Sequence, residues 1–149
     1  MSVLFSRQCE YALQAILYFA AHPTDELIPI RTVADKLKIP YHFVSKTLQQ
    51  LAKAGMIHSQ RGKQGGFKVS EESSKISLLE IIIAIDGDAF SKECVLGFRD
   101  CNSKEPCLLH DVWDKQRAEL TRILQKTTIR QLIKDYKRIP SLKRKLGLR

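Results

Sequence analysis

Cys94, Cys101, Cys107 and His110 stand at C-x6-C-x5-C-x2-H spacing in a short polar stretch of the 149-residue chain. Thiolates and an imidazole are soft to borderline ligands, so this set suits zinc or an iron–sulfur cluster. Cys107 and His110 lie three apart where a helix is predicted to begin, which lets both face one site. Pro106 restricts the chain just ahead of Cys107. On spacing alone, three cysteines and one histidine suit zinc at least as well as a cluster. Burial is a poor explanation for these thiols, because the stretch is polar and has no helix or strand period. Cys9, the remaining cysteine, falls in an apolar-rich first helix and reads as a small core residue.

A second constellation lies upstream. If Val44, Leu48 and Leu51 face a core, then Tyr41, His42, Ser45, Lys46 and Gln49 project from the opposite side of the same helix. Those side chains can donate to or accept from base edges and phosphates. Lys53, further along, reaches phosphate at most. Arg61 and Lys63 stand among glycines in Arg61-Gly62-Lys63-Gln64-Gly65-Gly66. Such a turn can lie along a nucleic-acid backbone or put Arg61 into a minor groove. It is not a phosphate loop, since no Gly-Lys-Ser/Thr follows. The competing readings are a solvated helix face or a protein-docking module.

The elements that must carry these groups follow from periodicity and punctuation. Ser6 caps a helix to about Ala21, with Tyr11, Ala12, Ala15, Ile16, Phe19 and Ala20 at three-four spacing. Arg31 to Leu37 is a short helix, and Lys38-Ile39 a tight turn. Pro40 opens a third helix to about Ala54, ended by Gly55. Met56 to Gln60 and Phe67 to Ser70 read as strands flanking the glycine-rich turn. Helix, helix, turn, helix and hairpin is the winged helix-turn-helix order, in which the third helix enters the major groove. Ser77-Leu78-Leu79-Glu80 is a capping box opening an apolar helix that ends at Gly87. Ala89 to Leu108 reads as a loop. From about Leu109 a long helix runs to Lys126, with Leu109, Trp113, Gln116, Leu120, Ile123 and Leu124 forming a seam suited to another helix. Thr127 or Thr128 caps a last helix to about Tyr136.

The net charge of +9 is unevenly spread. Residues 1–70 carry nine Lys/Arg and four Asp/Glu, residues 71–136 ten and twelve, and residues 137–149 six and none. Basic ends favour a polyanionic partner, and a solvated, partly disordered tail is the alternative for the last segment. No apolar run reaches the ~18 residues of a membrane span, Leu78 to Ile85 being the best candidate. The first residues lack a basic region followed by an apolar core, so no export signal is expected and the cytoplasm is the expected compartment. Thiols there stay reduced, which favours metal or redox chemistry over structural disulfides.

The sequence resembles the Rrf-two family of bacterial winged-helix transcriptional regulators, in its IscR-like and NsrR-like iron–sulfur branch. The resemblance runs to about Tyr136. It rests on Glu10-Tyr11-Ala12-Leu13, on Arg61-Gly62-Lys63-Gln64-Gly65-Gly66-Phe67, on Ile76 to Asp86, and on Cys94…Cys101…Cys107-Leu108-Leu109-His110-Asp111-Val112-Trp113. It implies a homodimer in which the long helix packs against its mate, with Trp113, Leu120, Ile123 and Leu124 at the interface. It implies a 2Fe–2S or 4Fe–4S cluster on Cys94, Cys101 and Cys107. His110 matches the IscR-like fourth-ligand position, and Glu10 the position where NsrR-like members use a carboxylate from the other subunit. Six residues separate the first two cysteines here, against five in those members.

The reading is therefore a mainly α chain with a small β-hairpin. Residues 1–75 form a winged helix-turn-helix domain. Residues 76–136 form dimerisation helices with a cluster-binding loop at about 89–110, and residues 137–149 a basic tail. Its expected role is sequence-specific binding of double-stranded operator DNA as a homodimer. An iron–sulfur cluster sensing redox state, nitric oxide or cluster supply would modulate that binding. A zinc-stabilised or cluster-free repressor and an iron–sulfur carrier are the alternatives. No membrane partner or small-molecule substrate is expected. No nucleophile–base pair or paired acids mark an enzyme.

Overall fold

The computed structural model describes residues 4–136 and 138–145. Residues 1–3 of the N-terminus and residues 137 and 146–149 of the basic tail lie outside them.

Helix α1 (Arg7–Ala21) starts where the Ser6 hydroxyl accepts from the Cys9 backbone N–H, and it is the hub of the molecule. Its three-four stripe buries Ala12, Ala15, Ile16 and Phe19 in one core with Val33 of α2 (Ile30–Leu37) and Val44, Leu48 and Leu51 of α3 (Tyr41–Lys53). The α2–α3 turn forms because Lys38 adopts the left-handed conformation (φ 55°), which frees Pro40 to stand just ahead of α3. Pro40 thus caps α3 from outside its first turn, one position earlier than expected, where its missing N–H is equally harmless.

The wing is the antiparallel pair β1 (His58–Gln60) and β2 (Gly66–Lys68), with Ser59 opposite Phe67. Both strands are shorter than the alternation of residue types implies. The wing is anchored from outside. The Ile28 N–H donates to the Phe67 carbonyl at 2.9 Å, and the Phe67 N–H returns a bond to Ile28 at 3.0 Å. This approach explains Gly66: a Cβ there would stand 2.5 Å from the Ile28 carbonyl oxygen.

The capping box forms as expected at α4 (Leu78–Asp86), with Ser77 and Glu80 exchanging side chain-to-backbone bonds. A 3₁₀ turn at Ala89–Ser91, the cysteine loop and α5 (His110–Lys126) follow. Helix α6 (Ile129–Tyr136) is held at its start by Ile129 N–H to Ile76 O and Leu78 N–H to Thr127 O, at 3.0 and 2.9 Å. Ile81 of α4 and Ile129 of α6 are fully buried in the same core as α1 to α3. The boundary drawn at residue 75 therefore crosses a continuous core. A further helix, α7 (Pro140–Lys145), forms in the segment expected to be a solvated tail.

Helix α5 packs separately. Its Leu124 joins Cys9 of α1 and Ile82 of α4 in a second small cluster, with Leu120, Phe5, Leu79 and Phe90 around it. Full burial of a leucine contributes about 1.5–3 kcal/mol. Three of the four side chains assigned to a dimer seam are thus engaged within the chain: Leu120, Leu124 and Trp113, whose indole N–H reaches the Glu93 carbonyl at 3.2 Å. Ile123 is 47% exposed and Val112 63% exposed, on an adjoining stripe of α5 that Leu109, the residue just before the helix, continues. Both stripes obey the same helical period, so periodicity alone does not say which faces inward.

Candidate metal centre and nucleic-acid interface

The cysteine loop is a chain of local turns ending at the first turn of α5. The Gly97 N–H closes on the Cys94 carbonyl at 2.9 Å, and Asn102 accepts from the Lys104 and Glu105 N–H groups at 2.8 and 3.1 Å. The His110 N–H reaches the Cys107 carbonyl at 3.1 Å as α5 begins. These turns bring residues spread over the loop to one point. The sulfurs of Cys94, Cys101 and Cys107 lie within 4.8 Å of one another. Cys94 and Cys107 are 3.6 Å apart, and His110 Nδ1 stands 3.2 Å from Cys101 Sγ. Lys92, Trp113 and Arg117 line the same small recess as these four groups. Glu10 lies on α1, where its carboxylate faces Arg7 at 3.3 Å.

The thiols pull one another's acidity in opposite directions. Burial pushes the Cys94 thiol up, but the Leu96 and Phe98 backbone N–H groups and the Cys107 and Cys101 thiols outweigh it and bring it from 9.0 to about 7. At Cys101 the Cys107 N–H favours the thiolate, at 3.4 Å. Burial and the neighbouring Cys107 and Cys94 thiols overcome that bond and raise Cys101. Three sulfurs this close cannot all carry charge without a cation among them. The donor set therefore fits a thiophilic metal centre. Cys9 is different: it is fully buried, and burial with Asp86 and Glu10 nearby pushes its thiol up to about 12. It is the inert core residue expected.

On α3 the expected division holds. Val44, Leu48 and Leu51 are buried, Tyr41, His42, Lys46 and Gln49 exposed, and Ser45 half-buried with its hydroxyl accepting from Gln49 at 3.0 Å. Arg61 and Lys63 are exposed on the wing. A groove of about 880 Å³ runs between α2, α3 and the wing, and gathers Arg31, Lys53, Arg61 and Lys63 with Tyr41 and Gln49. His42 and Lys46 are not among its lining residues. Sequence reasoning missed Arg31, whose guanidinium lies 5.8 Å from the centre of the Tyr41 ring. A signal was present. A cation in the first turn of a helix opposes the macrodipole by about 0.3–1 kcal/mol, and an anion placed nearby would offset that cost. Phe43 was missed too; it is partly exposed beside His42, with ring centres 4.2 Å apart.

Residues 5–135 match the family described as Rrf2, iron-dependent transcriptional regulator. The chain belongs to the Rrf2 family. Members are DNA-binding regulators rather than enzymes and typically act as dimers. Among curated relatives of this Rrf2 chain, a helix-turn-helix-type transcriptional regulator of Aquifex aeolicus is 34% identical over 134 residues, spanning 88% of this chain and 92% of the relative. The regulator IscR of Photobacterium profundum is 28% identical over 125 residues, spanning 84% and 72%. Among solved structures, CymR, the global cysteine regulator of B. subtilis, superposes with a TM-score of 0.74 at 21% identity, covering 90% of this chain and 98% of that one. IscR of T. potens superposes with a TM-score of 0.69 at 24% identity, covering 94% and 91%. These superpositions establish the winged-helix fold. In the described residues no helix is long and apolar enough to cross a membrane.

Proposed function

We propose that this Rrf2 regulator binds operator DNA as a homodimer, and that an iron–sulfur cluster on Cys94, Cys101, Cys107 and His110 adjusts its affinity. The observation carrying this reading is the convergence of three thiols and an imidazole on a loop that runs directly into α5. His110 is preferred to Glu10 as fourth ligand because it already stands beside Cys101 within one chain. When bound, a cluster supplies redox- and nitric-oxide-sensitive charge at the foot of α5.

The chain's own contacts offer a route from that site to the DNA face. Helix α5 packs on α4 through Leu124 and Ile82. Gln50, on α3, donates to the Ala84 carbonyl of α4 at 2.9 Å and accepts from Gln8 of α1 at 2.7 Å. Movement of α4 is thereby passed to the helix that carries Tyr41, His42, Ser45, Lys46 and Gln49. Ile123, Val112 and Leu109 form the α5 stripe that packs against the second subunit. The reading is tested by titrating a duplex selected in vitro with the cluster-loaded and metal-stripped forms. Regulation requires different affinities for at least one site, and identical affinities remove it.

A second reading has its own support. A single tetrahedral ion with metal–sulfur bonds of ~2.3 Å sets its thiolates ~3.8 Å apart. Cys94 and Cys107 stand near that spacing at 3.6 Å, and the recess of about 20 Å³ is close to the room one water needs. Zinc holding the loop as a structural element is therefore the alternative occupant, and metal and sulfide analysis separates the two.

A further inference from the structure

The Glu93 carbonyl oxygen, on the residue immediately before Cys94, accepts two hydrogen bonds from α5. The Trp113 indole N–H reaches it at 3.2 Å and the Arg117 Nη1 at 3.0 Å. His110, Trp113 and Arg117 follow at three-four spacing and so share one face of the helix. That single face carries an imidazole of the metal centre and both donors that hold the loop bearing Cys94. Beyond Cys94, the Gly97 N–H turns back to the Cys94 carbonyl, a turn made with Gly97 at φ 76°. Cys94 is thus held on both sides, by α5 before it and by its own turn after it. The Arg117 side chain is only 14% exposed, pairs with Asp114, and lines the recess that holds the thiols.

We propose that Trp113 and Arg117 are positioning residues that clamp the Glu93 carbonyl and so set Cys94 at the right distance from Cys107 and His110, with Arg117 also supplying the nearby positive charge. The proposal rests on the thiol site binding metal but not on that metal being a cluster. Without the clamp, the segment entering Cys94 is free to move relative to α5, and the site must be ordered at the moment of binding. Loss of a group that orients a ligand typically weakens metal binding about 10–100-fold. The positive charge of Arg117 offsets the negative charge that three thiolates would bring to a bound metal.

Co²⁺ serves as the probe, because its thiolate charge-transfer bands report the ligand set without requiring sulfide. Metal-free full-length protein is titrated with Co²⁺ under reducing, anaerobic conditions, and far-UV circular dichroism checks helix content. Trp113→Phe, which removes the N–H and keeps an aromatic ring, though a smaller one, and Arg117→Met are each expected to weaken binding about 10–100-fold and to diminish the charge-transfer bands. Arg117→Lys, which keeps a charged donor, should recover much of the loss. Arg122→Met removes an arginine of the same helix that pairs with Glu119 instead, and should leave binding unchanged. Wild-type affinity and bands in both Trp113→Phe and Arg117→Met overturn the clamp, as does an equal loss in Arg122→Met. A wild-type chain that does not bind Co²⁺ overturns it as well. If wild-type protein purifies without sulfide yet binds Co²⁺ with these dependences, the cluster reading falls and the clamp stands.

Discussion

Removing the two wing cations should change how DNA binding responds to salt before it changes anything else. The groove between α2, α3 and the wing gathers Arg31, Lys53, Arg61 and Lys63. Each cation that neutralises one phosphate contributes about 0.9 to the slope of log affinity against log salt. If all four do so, they account for a slope of about −3.6, and for a ~150-fold loss of affinity between ~50 and ~200 mM salt. The double variant Arg61→Ala/Lys63→Ala keeps two of them. Its slope should be shallower by about 1.8, and the remaining pair should account for only a ~12-fold loss over the same range. Both positions are exposed, and the wing is held by Ile28 and Phe67 rather than by these side chains, so the fold should be untouched. Fluorescence anisotropy on a labelled duplex at four or five salt concentrations measures the slope. Sequence specificity is not needed, since the phosphate contribution is present on any duplex. A double variant with the wild-type slope refutes the placement of the groove on the DNA backbone.

Ile123→Asp should yield a folded monomer whose melting temperature no longer rises with protein concentration, since Ile123 faces solvent in the single chain. Leu124→Asp should unfold or aggregate the chain by placing a charge in the Cys9–Ile82 cluster; light scattering with thermal melts separates them, and identical behaviour would contradict the assignment of the two α5 stripes. Gln50→Leu should bind DNA in the metal-free form about as well as wild type while narrowing the affinity difference between loaded and stripped protein, and an undiminished difference removes Gln50 from the coupling route. Cys9 provides a pH test. The folded chain keeps a thiol proton up to about 12 that the unfolded chain releases near 9.0, so its contribution to stability is intact below 9 and is lost as pH rises between those values. Denaturant midpoints of Cys9→Ala should fall less steeply over that interval than those of wild type, and parallel curves would contradict the burial argument.

Much of the architecture was legible because its signals are local. The Ser77–Glu80 capping box, the Ser6 cap and the inward stripe of α3 each depend on residues within a few positions of one another, and each formed as read. What was not legible depends on distant parts of the chain. Gly66 is needed because Ile28, nearly forty positions earlier, presses its carbonyl against β2. Arg31 becomes a groove residue only once the wing folds beside α2. The α5 seam as read spans two adjacent stripes, Leu120 and Leu124 on the one that α4 and α1 cover and Leu109 and Ile123 on the exposed one, since a three-four period fits both equally well. The three thiols and the imidazole that the loop brings together were readable as a set from their types and spacing. The hold of Trp113 and Arg117 on Glu93 was not, because its acceptor is a backbone oxygen that no residue type marks.

Iron and acid-labile sulfide counted in anaerobically purified wild-type protein and in its Cys94→Ser, Cys101→Ser and Cys107→Ser variants, with a visible spectrum of each, test the central claim most directly. The account predicts a coloured wild-type protein with iron and sulfide in equal amounts, and loss of both in every cysteine variant. Stoichiometric zinc without sulfide in the wild type, or full iron and sulfide in all three variants, would contradict it.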